Sequence, residues 1–286
     1  MNGRLSVLPL GGCTLTIPLM QLHRRQRLSV VLSEIGFRHL PLALSAGSAL
    51  QLIDIVRGKT PMPPPLLAIL CYQDATLPSK FPDGAAERVA ASDVCLMEIS
   101  TPVEFEYEGY RLNRNRLRAF VFELAEGAGD RKPAAQWMNA LQKENDALRE
   151  KSAQALIAHL GGNTFACDLV ARTRSRIASD AEIQANLDDI RAFLKGRMGI
   201  VLYNFRYMPD GRAIDWPQGF KDQVKAMAAR LGIATYDPAN LVARHGVRTA
   251  MAEESGHYAA EFNRTVAIAF KRFLNTLVED RPLNQI

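Results

Sequence analysis

Two short stretches at opposite ends of the chain carry residue types that together perform nucleophilic chemistry. Near the start, the apolar run Leu5-Ser6-Val7-Leu8-Pro9-Leu10 breaks at Gly11-Gly12 and is followed by Cys13; near the end, Glu254-Ser255-Gly256-His257 opens a long amphipathic segment. A strand that breaks at glycines holds the next side chain above the edge of a sheet, and a thiol held there becomes a nucleophile once a base takes its proton. His257 is the expected base. Glu254, with Glu253 as its neighbour and alternative, is the acid that orients the ring and stabilises the imidazolium. An imidazole beside the sulfur and a helix amino terminus behind it are both expected to lower the thiol pKa. The chemistry this points to is acyl transfer through Cys13.

The elements that must position these residues alternate along the chain. Apolar runs with strand character occur at about 5–10, 39–44, 66–71, 93–100, 199–204 and 232–236, and periodic helix-like segments separate most of them. Four runs, Leu66 to Leu70, Val94 to Met97, Gly199 to Tyr203 and Gly232 to Tyr236, are nearly continuous, as strands buried on both faces should be. The expectation is one α/β domain over residues 1–286, a parallel sheet sandwiched by helices. The stretch from about 130 to 198 reads as a helical insertion, with helices over Ala134 to Leu160 and Asp180 to Met198. Within it Leu141, Leu148 and Ala155 recur every seven residues, a pattern for a helical hairpin packed on the domain or for a homodimer contact. Phe262, Val266, Phe270, Phe273 and Leu277 recur at steps of three and four, which makes the last segment a helix lying on the sheet, with His257 just ahead of it.

Gly11-Gly12-Cys13 and Glu254-x-x-His257 resemble the first and last sequence blocks of the SGNH (GDSL-like) hydrolase and acyltransferase superfamily. The usual blocks there are Gly-Asp-Ser and Asp-x-x-His; here Cys13 stands in the place of the serine and Glu254 in that of the aspartate. Branches with Gly-Ser-Cys or Gly-Asn-Cys, among them the WcbI-type proteins of bacterial capsule biosynthesis, are more similar. The likeness extends to element order, through Glu98-Ile99-Ser100-Thr101 after the run at 93–100 and Tyr236-Asp237-Pro238 after the penultimate strand. It implies a flavodoxin-like sheet, a Cys13–His257–Glu254 triad, and an oxyanion hole built from the Gly12-Cys13 turn and from Gly47 in Ser45-Ala46-Gly47-Ser48. No Gly-x-Asn-Asp follows the strand at 93–100, so Ser100 or Asn204 is the expected substitute for the third donor. The implied activity is an O-acyltransferase, in particular an acetyltransferase, acting on a glycan or sugar hydroxyl. Its alternatives are an ester or thioester hydrolase of the same fold, or a non-catalytic glycan- or nucleotide-binding module with a decayed site.

Other residues frame these readings. His245, in Arg244-His245-Gly246, is a rival base, and His23 lies in a cationic surround. Arginines cluster at 24–27, 111–118 and 172–176; their planar forks suit phosphate and carboxylate, so one cluster could hold a coenzyme A thioester as acyl donor or a charged glycan. Arg114 and Arg116 after Tyr107 and Tyr110, and Arg206 with Tyr207 beyond the fifth strand, are the candidate substrate contacts. No tightly bound cofactor is expected. The 286 residues carry a net charge of +5, too mild for a nucleic-acid signature, and 48% hydrophobic content suits a sizeable core. Four scattered cysteines, Cys13, Cys71, Cys95 and Cys167, lack the spacing of a zinc site or a disulfide framework, so no metal is expected. No run is long enough to span a bilayer, and the expected location is cytoplasmic.

Overall fold

A computed structural model of the chain describes residues 4–37, 42–70, 81–143, 145–202, 206–207, 213–214, 219–252 and 257–279. The chain divides into two units, one of Met1–Thr60, Pro78–Pro102 and Ser179–Ile286, the other of Pro61–Leu77 and Val103–Ala178. The strands in chain order are β1 (Ser6–Leu10), β2 (Ser29–Val30), β3 (Val94–Glu98), β4 (Val103–Tyr107), β5 (Tyr110–Leu112), β6 (Arg174–Ile177), β7 (Arg197–Val201), β8 (Arg206–Tyr207), β9 (Ala213–Ile214) and β10 (Ala234–Tyr236).

The first unit is built on a five-stranded, all-parallel sheet in the order β10-β7-β3-β1-β2. Numbered within the sheet this is 2-1-3-4-5, the order of flavodoxin-like folds, with its switch point between β1 and β3. Every residue of β3 is buried, so both faces of the central strand are covered. The Cys13–Arg24 helix packs along the Phe262–Glu279 helix, and the Ala46–Val56 helix packs along the Asp180–Phe193 helix. At the amino edge, the Ser6 amide and hydroxyl both donate to Asp93, which aligns the start of β1 with β3.

The last helix has a direction that matters for the site. Gly199 faces Phe273 and Leu277, whereas Tyr236, one strand over and nearer the carboxyl end of the sheet, packs its ring on Phe270 and Phe273. Since Gly199 pairs with Ala234 and Val201 with Tyr236, moving toward the strand carboxyl ends moves toward the helix amino terminus. The helix therefore runs antiparallel to the strands, and its start lies at the carboxyl edge.

The second unit, taken by itself, holds the antiparallel sheet β5-β4-β6. Its β4–β5 turn is made by Glu108 and Gly109, both at positive φ, the two-residue geometry that matches strand twist. Four helices, Arg114–Gly127, Lys132–Leu141, Asp146–Leu160 and Thr164–Arg172, pack around Leu117, Val121, Trp137, Leu156 and Leu169.

Three local expectations are corrected here. The run at 66–70 is helical, with Leu66, Ile69 and Leu70 buried at steps of three and one; a short apolar run does not distinguish a strand from a buried helix by periodicity. The stretch from Ala134 to Leu160 is two helices, because Asn145 caps the second through the Leu148 amide. The heptad breaks with it: Leu141 is buried in the first helix, while Leu148 and Ala155 are exposed on the second, whose buried residues are Ser152 and Leu156. Finally β6 is a strand inside a stretch expected to be helical. The 39–44 run lies largely outside the described residues, although Leu42 bridges Gly11 in parallel.

Phe273 contacts both Gly199 and Tyr236 and is fully buried. Phe273→Ala is expected to cost about 3–5 kcal/mol, read as a lowered urea midpoint at an unchanged denaturant slope.

Candidate functional site

The site is assembled at the carboxyl edge of the sheet, at the switch point. β1 ends at Leu10, and Gly11 continues it far enough to bridge Leu42 and accept the Ala43 amide. Gly12 is the N-cap of the next helix, and Cys13 is its first residue, half-buried. β3 ends at Glu98, and Ser100 and Thr101 then donate their amides to the Leu44 carbonyl. Three segments, 11–13, 42–47 and 98–101, thus meet on one rim.

Gly11 is required by that approach. A Cβ on Gly11 would stand 2.6 Å from the Glu98 Cβ and 2.7 Å from Leu15 Cδ2, and one on Gly12 would stand 3.0 Å from Glu98 Oε1. The Gly11 contacts are closer than packed atoms allow, so that position is closed to a side chain, and at Gly12 a Cβ would fit only tightly.

Glu98 is the unexpected centre of the rim. It is fully buried, and its carboxylate accepts the Thr14 hydroxyl at 2.7 Å and the Ser100 hydroxyl at 2.6 Å, with the backbone amides of Gly12 and Leu15 adding a weaker attraction. The Cys13–Arg24 helix has no cap from its own N-cap side chain and no acid in its first turn. Glu98 brings a carboxylate to that positive end from another strand, held there by Thr14 of the first turn. Burial nevertheless pushes the Glu98 carboxyl above its usual range, against the lowering effect of its four donors.

The expected low pKa of Cys13 is overturned. Burial, and then the Glu98 carboxylate, push the thiol up, and only the hydrogen bond from its own amide lowers it. The helix start still favours the thiolate through the Cys13 amide, but burial and the neighbouring carboxylate outweigh it.

The other candidate residues fall as follows. Gly47 is buried in the first turn of the Ala46–Val56 helix, whose cap Ser45 accepts the Ser48 amide. Ser100, expected as an oxyanion donor, has its hydroxyl committed to Glu98 and its amide to Leu44, and the Gly12 amide is more weakly attracted to Glu98. His257 sits just ahead of the last helix, whose start lies at the carboxyl edge; its carbonyl accepts the Ala252 amide at 2.9 Å, and Tyr258 bridges Met251. No hydrogen bond joins the Cys13 sulfur to the His257 ring. Glu253, Glu254 and Asn204 lie outside the described residues, as do the Arg206 and Tyr207 side chains. The rival His245 is exposed and packs edge-on against Phe262, 5.2 Å between ring centres. His23 accepts the Val30 amide.

Arg114 and Arg116 belong to the second unit. A helix starts at Arg114, so Arg114 and Arg116 are about 200° apart around it and do not share a side. Arg114 donates to Gln142, Arg118 stacks over Phe122, and Arg111 and Arg176 both pair with the buried Glu104. Tyr107 donates to Asp168 under the Arg172 guanidinium, with its hydroxyl pKa raised to about 12, first by that hydrogen bond. Much of the expected arginine and tyrosine rim is thus engaged within its own unit.

Two outcomes test the rim. Gly11→Ala is expected to lower stability by about 1–3 kcal/mol through overpacking against Glu98, read by urea denaturation. Because the folded-state pKa of Glu98 is raised above the unfolded value, its contribution is fully present below the unfolded carboxyl pKa and is lost as pH rises through the folded one. Urea midpoints of the parent relative to Glu98→Gln are therefore expected to fall as pH climbs through that window; a constant difference would contradict the burial argument.

Comparison with curated proteins and with solved structures gives no match. The family model described as the TviD N-terminal domain matches residues 5–272, spanning the rim, the sheet and most of the last helix. The chain belongs to the TviD N-terminal domain family.

Proposed function

We propose that this chain is an acyl-transfer enzyme of polysaccharide biosynthesis, most specifically an O-acetyltransferase that modifies a sugar hydroxyl. The family relates to Vi polysaccharide biosynthesis, which supports a glycan as acceptor. The observation that carries the chemistry is the half-buried Cys13 at a helix start on the switch point of a 2-1-3-4-5 parallel sheet, where open α/β folds place their ligands. The start of the last helix lies at that edge, five residues after His257, which supports His257 as the base.

In this reading His257 removes the Cys13 proton as the sulfur attacks the carbonyl of a coenzyme A thioester. The new Sγ–C bond forms as the bond to the coenzyme A sulfur breaks, and the imidazolium returns its proton to that leaving sulfur. A sugar hydroxyl then gives its proton to His257 and attacks the acyl carbon, releasing Cys13. Glu254 holds the ring. The raised thiol pKa makes the base essential, because there is little preformed thiolate to attack without it. Amides of Cys13 and Gly47 stabilise the oxyanion, and Asn204 is the remaining candidate donor.

A second reading, a glycan-binding module on the same fold, is favoured by one specific finding. The Ser100 hydroxyl proton expected to serve an oxyanion is directed at Glu98. Water as acceptor would make the protein an esterase with the same first half-reaction.

Intact-mass analysis after incubation with acetyl-coenzyme A separates these readings. The parent is expected to gain one acetyl group and Cys13→Ala none, while His257→Ala forms the adduct more slowly by about 10²- to 10⁴-fold. An adduct that survives in Cys13→Ala contradicts the covalent route, and no adduct on the parent favours the binding module.

A further inference from the structure

We infer that Glu98 is a positioning residue for Cys13: hydrogen-bonded to Thr14 on the first turn of the Cys13–Arg24 helix and lying against Gly12, its buried carboxylate opposes negative charge on the sulfur between them, and so keeps Cys13 a neutral thiol until a base acts on it. The functional meaning of this rests on the reading of Cys13 as the nucleophile; the electrostatic coupling does not.

The argument is geometric first. A helix start favours an anion, and here two anions compete for one start: the Cys13 sulfur, on the first helical residue, and the Glu98 carboxylate, brought in by the neighbouring strand. Glu98 reaches it on both sides of the sulfur in sequence: it accepts the hydroxyl of Thr14, one residue after Cys13, and its Oε1 lies against Gly12, one residue before. The carboxylate thus lies along the turn that presents the sulfur, and its side chain takes the space that a Gly11 Cβ would need.

The charge balance follows. Among the described residues, Glu98 is the charged group acting on the Cys13 thiol, and the groups acting on Glu98 are the Ser100 and Thr14 hydroxyls and the Gly12 and Leu15 amides, with no cation. Val201, paired with Glu98 across the β3–β7 ladder, and Leu10 and Met97, paired across β1–β3, are buried apolar residues. A pair of acids so placed carries one negative charge far more readily than two. An ionised Glu98 therefore opposes the thiolate, and the thiol is protected from adventitious oxidation and alkylation, both of which proceed through the thiolate.

The test is the pH profile of Cys13 alkylation by iodoacetamide in the full chain, read by peptide mass spectrometry on the parent, Glu98→Gln and Glu98→Asp. The parent is expected to label with a midpoint above that of glutathione measured alongside. Glu98→Gln is expected to shift the whole profile to lower pH, with a several-fold faster rate near neutrality, while Glu98→Asp keeps the charge and stays nearer the parent. A parent midpoint below that of glutathione overturns the inference even if the variants fail to fold, and so does a Glu98→Gln profile that is unmoved or shifted upward. A purely structural role for Glu98 would change stability without moving the midpoint in this direction. Because labelling needs no turnover, a shifted profile alongside an unaffected acetyl adduct in Cys13→Ala would retain the coupling and reject the acyl-transfer reading.

Discussion

The rim of this protein depends on one interaction, the seating of a buried carboxylate from β3 on the start of the helix that follows β1. It ties the two central strands of the sheet together at their carboxyl ends, beyond the last ladder hydrogen bonds. It brings an anion to a helix start that has no acid in its first turn, and it occupies the volume that a side chain at Gly11 would need. It also fixes the electrostatic setting of the single thiol on the turn. A change in Glu98 is therefore transmitted at once to backbone packing, helix start and sulfur.

This arrangement changes the kind of nucleophile the fold presents. A thiol at a bare helix start next to an imidazole is poised as an ion pair. A thiol next to a buried carboxylate is closer to the serine of a hydrolase, neutral at rest and dependent on a base during attack. The same carboxylate holds the Ser100 hydroxyl, so the proposed acyl transfer draws on other oxyanion donors.

Much of the parallel sheet was legible in the sequence, because β3 and β7 lie in nearly continuous apolar runs, as burial on both faces demands, while β10, marked by the same kind of run, is a half-buried edge strand. The last helix was legible from its apolar steps, and its direction follows from Gly199 opposite Phe273 and Leu277. The second unit was not. Its strands are short and carry paired charges, Glu104 and Glu106 against Arg111 and Arg176, so they lack the apolar pattern that marks a strand, and the 66–70 run that feeds its core is a helix. In the site, Cys13 and the glycines stood out by type and spacing. Glu98 did not, although an acid closing an otherwise unbroken apolar strand, with a hydroxyl two residues on, was the signal available. Its role depends on Thr14, which is distant in sequence and meets it only in the folded chain.

The central claim is that the sulfur of Cys13 and the imidazole of His257 work at one edge of one sheet. The most direct measurement is proximity: with Cys71, Cys95 and Cys167 replaced by alanine, the His257→Cys variant is treated with dibromobimane, which becomes fluorescent when it bridges two nearby thiols. The account predicts one intramolecular bridge per chain, mapped by mass spectrometry to residues 13 and 257. Separate labelling of the two thiols, with no bridge, would contradict it.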